Sequence, residues 1–166
     1  MAIIQAVRIC WLVMLKKLAY ILATGLGSGY IPRIPGTAAS FTALLTFYLV
    51  PLKDSTWLAG IVILYALGLW SSSVIEKEQG TKDPPQVVID EWAGQLLALL
   101  YLPRIPIILL AGFIIFRIMD ILKPFPAGNV QRIKGGLGIM TDDIIAALYA
   151  NLIIRVILLI FPPGLS

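Results

Sequence analysis

Six of the nine acidic residues in this 166-residue chain stand beside long apolar runs, as Asp83, Asp90-Glu91, Asp120 and Asp142-Asp143. A carboxylate next to hydrocarbon is expensive and marks a functional position by default. Gathered at one place, such groups would repel one another and lose hydration. They would need basic side chains or a hard cation such as Mg²⁺ to offset their charge. Arg117 and Lys123 flank Asp120. Mg²⁺ held by a few carboxylates keeps positions open for water and phosphate oxygens, which suits phosphoryl hydrolysis. Histidine is absent and the one cysteine, Cys10, sits in an apolar run. Catalysis would therefore run on oxygen ligands, lysine and arginine, without imidazole or a disulfide.

Each group also has a plainer reading. Asp90-Glu91 and Thr141-Asp142-Asp143 both open expected helices, where capping and the macrodipole favour acids. Arg117 and Asp120 are spaced i,i+3 and could form an internal ion pair. Asp83 precedes two prolines and suits a turn. The loop Gly25 to Thr37 could cradle phosphate with backbone amides, yet it matches no P-loop pattern. Arg117 and Lys123 could snorkel to headgroups, and Lys134 with Gly135-Gly136 reads as a flexible surface turn. The four tryptophans fall near expected helix ends, as an interfacial belt would place them.

The elements that must position these residues follow from composition. With 59% hydrophobic residues, 13% charged residues and a mean hydropathy of +0.92, the chain holds more apolar surface than a soluble domain of its size could hide. An all-α integral membrane helical bundle is expected, of about five transmembrane helices plus an N-terminal interfacial helix. Residues 1–17 form that interfacial segment, which lacks the basic n-region of a secretory signal, and 18–166 a single membrane domain. The expected crossings are Thr37 to Leu52, Trp57 to Val74, Asp90-Glu91 to Leu102, Ile107 to Ile121, and Ile144 to Phe161 with a stop at Pro162-Pro163. Alternating crossings put loops 25–37, 75–91 and 117–143 on one face. Ten of the thirteen Lys and Arg fall there too, so the positive-inside rule makes that face cytoplasmic. The basic residues thus point to the bilayer and anionic lipid, and no nucleic-acid partner is expected.

Four segments taken in order carry a resemblance. They are Gly27-Ser28-Gly29 through Pro35-Gly36-Thr37, Val88-Ile89-Asp90-Glu91-Trp92-Ala93-Gly94, Phe116-Arg117-Ile118-Met119-Asp120 through Lys123-Pro124-Phe125-Pro126, and Gly135-Gly136-Leu137-Gly138 through Thr141-Asp142-Asp143. Together they resemble the phosphatidylglycerophosphatase A family over most of the chain, from about Leu22 to Tyr149. The resemblance implies a multi-pass protein of the bacterial inner membrane that uses Mg²⁺ to remove the terminal phosphate of phosphatidylglycerophosphate, giving phosphatidylglycerol. It implies acidic metal ligands at Asp90, Glu91, Asp120, Asp142 and Asp143, with Asp83 as a secondary addition to them. Arg117 and Lys123 match its basic positions. The apolar segment Met1 to Lys17 departs from the family pattern.

On this reading Arg117 and Lys123 would hold phosphate oxygens, Gly27, Ser28, Gly29 and Thr37 would donate hydrogen bonds to them, and Lys134 would add a charge. Glu91 or Asp143 would orient the attacking water. Cys10 has no arginine five residues on, and no Asp-x-Asp pair exists, so cysteine and haloacid-dehalogenase phosphatase chemistry is excluded. Two other functions stay open. A Mg²⁺-dependent lipid phosphotransferase would use the same acids with an alcohol acceptor. A small cation channel or transporter would line its path with carboxylates, but should spread them through the depth of the bundle.

Overall fold

The computed structural model describes residues 1–162, and among them the chain forms seven helices, one 3-10 turn and no strand. Helix α1 (Ala2–Ala23) runs unbroken past Lys16-Lys17, because no Gly or Pro interrupts the residues that follow. It stops at Thr24, where Gly25 takes a left-handed backbone. A 3-10 turn at Ser28–Tyr30 leads to α2 (Pro35–Leu49), which starts earlier than expected because Pro35 is preorganised for the first helical position. Helix α3 (Asp54–Gln79) outlasts its apolar run by more than a turn and ends at Gly80, also left-handed. Its charged tail is still helix-forming, and Lys16 of α1 pairs with Glu78 there at 3.0 Å. Helices α4 (Ile89–Leu99), α5 (Pro106–Leu122) and the short α6 (Ala127–Val130) follow.

Helix α7 (Gly136–Ile160) differs most from expectation. It begins two turns before Ile144, so Asp142 and Asp143 lie inside it and do not open it. Pro163, the second proline of the expected stop, lies outside the described residues.

The expected five crossings can be weighed by length. At 1.5 Å per residue, α3 with 26 residues and α7 with 25 reach roughly 38 Å, enough for a hydrocarbon core of about 30 Å. Both are long and apolar enough to cross a membrane. Helices α2, α4 and α5, of 15, 11 and 17 residues, reach roughly 23, 17 and 26 Å. They fall short of a full span on their own. Helix α1 has the length but carries Arg8, Lys16 and Lys17.

Short α4 is the hub. It packs against α7, α2, α3 and α5, and most of its residues are buried. Small residues let the helices close on it. A Cβ on Gly94 would meet the Phe116 ring at 2.7 Å and the Asp143 carbonyl at 3.2 Å. Ala146, Ala147 and Ala150 of α7 are buried against Ala98 and Phe116. At the opposite end from the acids, Arg104 donates to the carbonyls of Val50 and Leu52 and lies 4.8 Å over the Phe47 ring. This ties together the turns of the α2–α3 and α4–α5 hairpins, so both turns share one end of the bundle. Asn151 of α7 donates there to the carbonyls of Ala98 and Leu100 at 3.0 and 2.9 Å.

The start of α7 is fixed by backbone contact with α3. The Gly136 amide donates to Ser73 Oγ at 2.7 Å, and a Cβ on Gly136 would stand 2.2 Å from the Leu69 carbonyl oxygen. Backbone on both sides cannot yield as a flexible side chain would. Gly136→Ala is expected to cost about 1–3 kcal/mol through overpacking. A thermal unfolding midpoint in detergent that falls by several degrees would show it.

Candidate active site

Two helices bring three carboxylates to one point. Asp90 and Glu91 come from the first turn of α4, and Asp143 from two turns inside α7. One oxygen from each lies within 4.8 Å of the others. Asp90 and Asp143 are buried and Glu91 nearly so. Asp90 Oδ1, Glu91 Oε2 and Asp143 Oδ2 are shielded from solvent and have no hydrogen-bond partner. The macrodipole and capping explanation covers Asp90 and Glu91. It cannot cover Asp143, which lies inside its helix.

Two ion pairs flank this group. Arg117 Nη1 lies 2.8 Å from Asp120 Oδ2 and 4.0 Å from Glu91 Oε1, and it donates to Ser40 Oγ at 3.3 Å. Ser40 in turn donates to the Gly36 carbonyl at 2.9 Å, which fixes its free lone pair toward the guanidinium. Arg117 Nε is buried without a partner. On the other side Lys123 bonds the Asp142 carboxylate. Burial draws the Lys123 amine down, but the hydrogen bond and charge of Asp142, backed by Asp143 and Asp120, outweigh it, and its pKa lies above the ordinary lysine value.

Five carboxylates thus share two cations: Arg117 is divided between Asp120 and, at 4.0 Å, Glu91, Lys123 goes to Asp142, Asp90 and Asp143 have no cation, and Asp90, Glu91 and Asp143 each keep an orphaned oxygen. A converging set of hard oxygen donors with unmet negative charge fits a hard divalent ion. Asp120 and Asp142, expected beside them as ligands, are placed in the ion pairs.

A cavity of about 390 Å³ opens onto Glu91, the member of the group that lines it, and is also lined by Arg33, Gly36, Thr37, Asp83 and Arg117 among others. Gly36 matters here because a Cβ at its position would stand 2.1 Å from Glu91 Oε1. A side chain there would displace that carboxylate from its present place. Asp83 lines the cavity with its Oδ2 accepting from Gln131 Nε2 at 3.1 Å.

Other expected contacts fall elsewhere. Ser28 donates to the Gly25 carbonyl at 2.9 Å and meets Trp92 Nε1 at 3.5 Å, while a Cβ on Gly29 would strike the Gln86 carbonyl at 2.1 Å. The turn Gly27-Ser28-Gly29 is therefore braced against residues 86–92, and none of the three lines the cavity beside Glu91. Lys123 is turned to Asp142 and is not among the lining residues. Lys134 lines a separate cavity with Lys77 and Lys82. Arg33, Gly36 and Ser40 are the site residues that spacing did not single out. Arg33 and Gly36 lie within the first motif, and Ser40 one turn beyond it, but no pattern of types predicts their approach to Glu91 and Arg117.

Residues 21–158 match the family Phosphatidylglycerophosphatase A. The chain belongs to that family. The match takes in every residue of the carboxylate group and both ion pairs. Two relatives named phosphatidylglycerophosphatase A are similar to the chain, one from Escherichia coli (37% identical over 130 residues, 76% of each chain) and one from Haemophilus influenzae (34% over 149 residues, 84% of this chain and 91% of the relative). A Bacteroides thetaiotaomicron protein provisionally named a phosphatidylinositol-3-phosphatase is 36% identical over 148 residues, 84% of this chain and 92% of that one. No solved structure matches the chain.

The Lys123–Asp142 pair gives a test of this division of the acids. Lys123→Met leaves a buried carboxylate without its partner and is expected to cost about 3 kcal/mol, whereas the double variant Lys123→Met with Asp142→Leu recovers most of that loss. Unfolding of the three proteins side by side measures both effects.

Proposed function

We propose that this phosphatidylglycerophosphatase A family member hydrolyses the terminal phosphomonoester of phosphatidylglycerophosphate, with Mg²⁺, at the cytoplasmic face of a bacterial inner membrane. The observation that carries the reading is the converging group Asp90, Glu91 and Asp143, brought together from distant parts of the chain, with Glu91 beside an arginine and an open cavity. The apolar exterior of α3, α5 and α7 suits hydrocarbon, and the relatives named above are bacterial.

Asp90, Asp143 and one oxygen of Glu91 would hold the ion, which when bound offsets phosphate charge and polarises a phosphoryl oxygen. Arg117, held by Asp120 and Ser40, lines the cavity and binds phosphate oxygens there. Of the two acids that could serve as base, Glu91 is the one lining the cavity. Its second oxygen orients a water in line with the bond to glycerol and takes its proton as the new P–O bond forms. The bond to glycerol breaks, the alkoxide takes a proton from water at the open mouth, and the proton held by Glu91 returns to the hydroxide left behind, restoring the carboxylate. Phosphatidylglycerol and inorganic phosphate leave. Positioning and electrostatics account for most of the barrier reduction.

The alternatives make different demands. A conducting path needs carboxylates along its depth, whereas these acids gather at one end of the bundle, away from Arg104. A phosphotransferase would need an alcohol acceptor.

Purified protein in detergent micelles is expected to release inorganic phosphate from phosphatidylglycerophosphate without any acceptor, to stop on chelation and to resume with Mg²⁺. Asp143→Asn should lose at least roughly 100-fold in kcat with an unchanged elution volume and melting midpoint. Faster turnover of phosphatidylinositol 3-phosphate would transfer the reaction to the other lipid. No release from either, with cation flux in liposomes, would replace hydrolysis by transport.

A further inference from the structure

Phosphatidylglycerophosphate carries two phosphates, the terminal monoester that is cleaved and the diester that joins glycerol to the lipid. The group at Glu91 and Arg117 accounts for the first. Arg33 lines the same cavity and is exposed, and among the described residues it has no acidic partner. Its backbone is left-handed at φ 71°, a conformation that costs an L-residue about 1 kcal/mol. It is held there between Pro32 and the Ile34-Pro35 start of α2.

The neighbouring side chains order the cavity by polarity. Glu91 and Arg117 form its inner end, with Glu91 Oε2 and Arg117 Nε buried and unpartnered. Ile34 also lines it, yet is 55% exposed, and Ile31 beside it is 42% exposed. That apolar lip suits the diacylglycerol end of a lipid. A ligand laid from lip to inner end presents hydrocarbon to Ile34, one phosphate to Arg33 and a second to Arg117. The volume of about 390 Å³ is in the range of small-molecule sites and admits a headgroup of this kind.

We infer that Arg33 recognises the phosphodiester of the substrate and so makes the enzyme select lipids bearing two phosphates over phosphatidic acid, which carries one. The inference rests on the proposed function and adds the basis of its selectivity. Arg33 is a binding residue distinct from the residues at the reacting phosphate.

The test compares kcat/KM for phosphatidylglycerophosphate and phosphatidic acid, in micelles of one composition, for the wild type, Arg33→Ala, Arg33→Lys and Arg117→Lys. Arg33→Ala is expected to lower the ratio of the two values by roughly tenfold or more, through KM, because a charge-assisted contact is lost with one lipid alone. Arg33→Lys should recover part of the ratio. Arg117→Lys should depress both lipids and leave the ratio near its starting value. An unchanged ratio in Arg33→Ala, or a loss confined to kcat, would overturn the assignment while leaving hydrolysis in place. A wild type inactive on both lipids would remove the proposed function and this inference with it.

Discussion

Three carboxylates whose nearest cation is Arg117, 4.0 Å from Glu91, converge within 4.8 Å of one another with one buried, unpartnered oxygen each, and set the terms for the rest of the fold. At an effective dielectric constant near 20, two like charges at that distance repel by roughly 3 kcal/mol, and three of them make three such pairs. The N-terminus of α4 helps Asp90 and Glu91, but a helix end contributes only about 1 kcal/mol. It does not balance the repulsion. Either protons or a cation must, and oxygen donors from two helices converge as a cation would require. Packing then has to hold the group against its own repulsion. The close contacts do this: Gly94 admits Phe116, the alanine face of α7 meets α4, and Gly36 makes room for Glu91.

The remaining charges are divided with economy. Asp120 keeps Arg117 aligned while its guanidinium still reaches toward Glu91, and Ser40 adds a neutral acceptor that leaves the net charge alone. Lys123 is spent on Asp142, next in sequence to Asp143. A cation placed there lowers the negative potential around the triad without occupying it. The two ion pairs thus border the triad, and Arg117 links one of them to it through Glu91.

Much of this was legible in the sequence. Asp90, Glu91, Asp120, Asp142 and Asp143 stood out because hydrocarbon beside a carboxylate is a strong signal, and Arg117 and Lys123 because they bracket Asp120. The helices were visible from their apolar runs, yet ends were not. Helix α7 begins at Gly136 because its first turn is anchored to Ser73 and Glu76 of α3, a tertiary contact that no local propensity reveals. That misplaced start made Asp142-Asp143 look like a cap. The glycines of the first motif were equally ambiguous. Gly29 is small to let the Gln86 carbonyl approach, and Gly36 to let Glu91 approach, but a sequence shows only that both lack a side chain. Spacing could not say which of the two faces chemistry.

A group of acids that grips a cation and a phosphate has little means of telling one phosphomonoester lipid from another. The chemistry it meets is the same in a glycerophosphate and an inositol phosphate. Relatives named for each of these lipids match this chain at similar identity, 36% and 37%. Selection must then lie in what surrounds the reacting phosphate. Here that surround is the loop before α2, which contributes Arg33 and Ile34 to the cavity, the first turn of α2 with Thr37, and the turn at Asp83. Loops of this kind can change without disturbing α4 and α7, whose contact fixes the acids. Under the proposed function such a scaffold would keep its reaction while its substrate varied, because the residues proposed to break the bond and the one proposed to read the rest of the lipid stand on different elements.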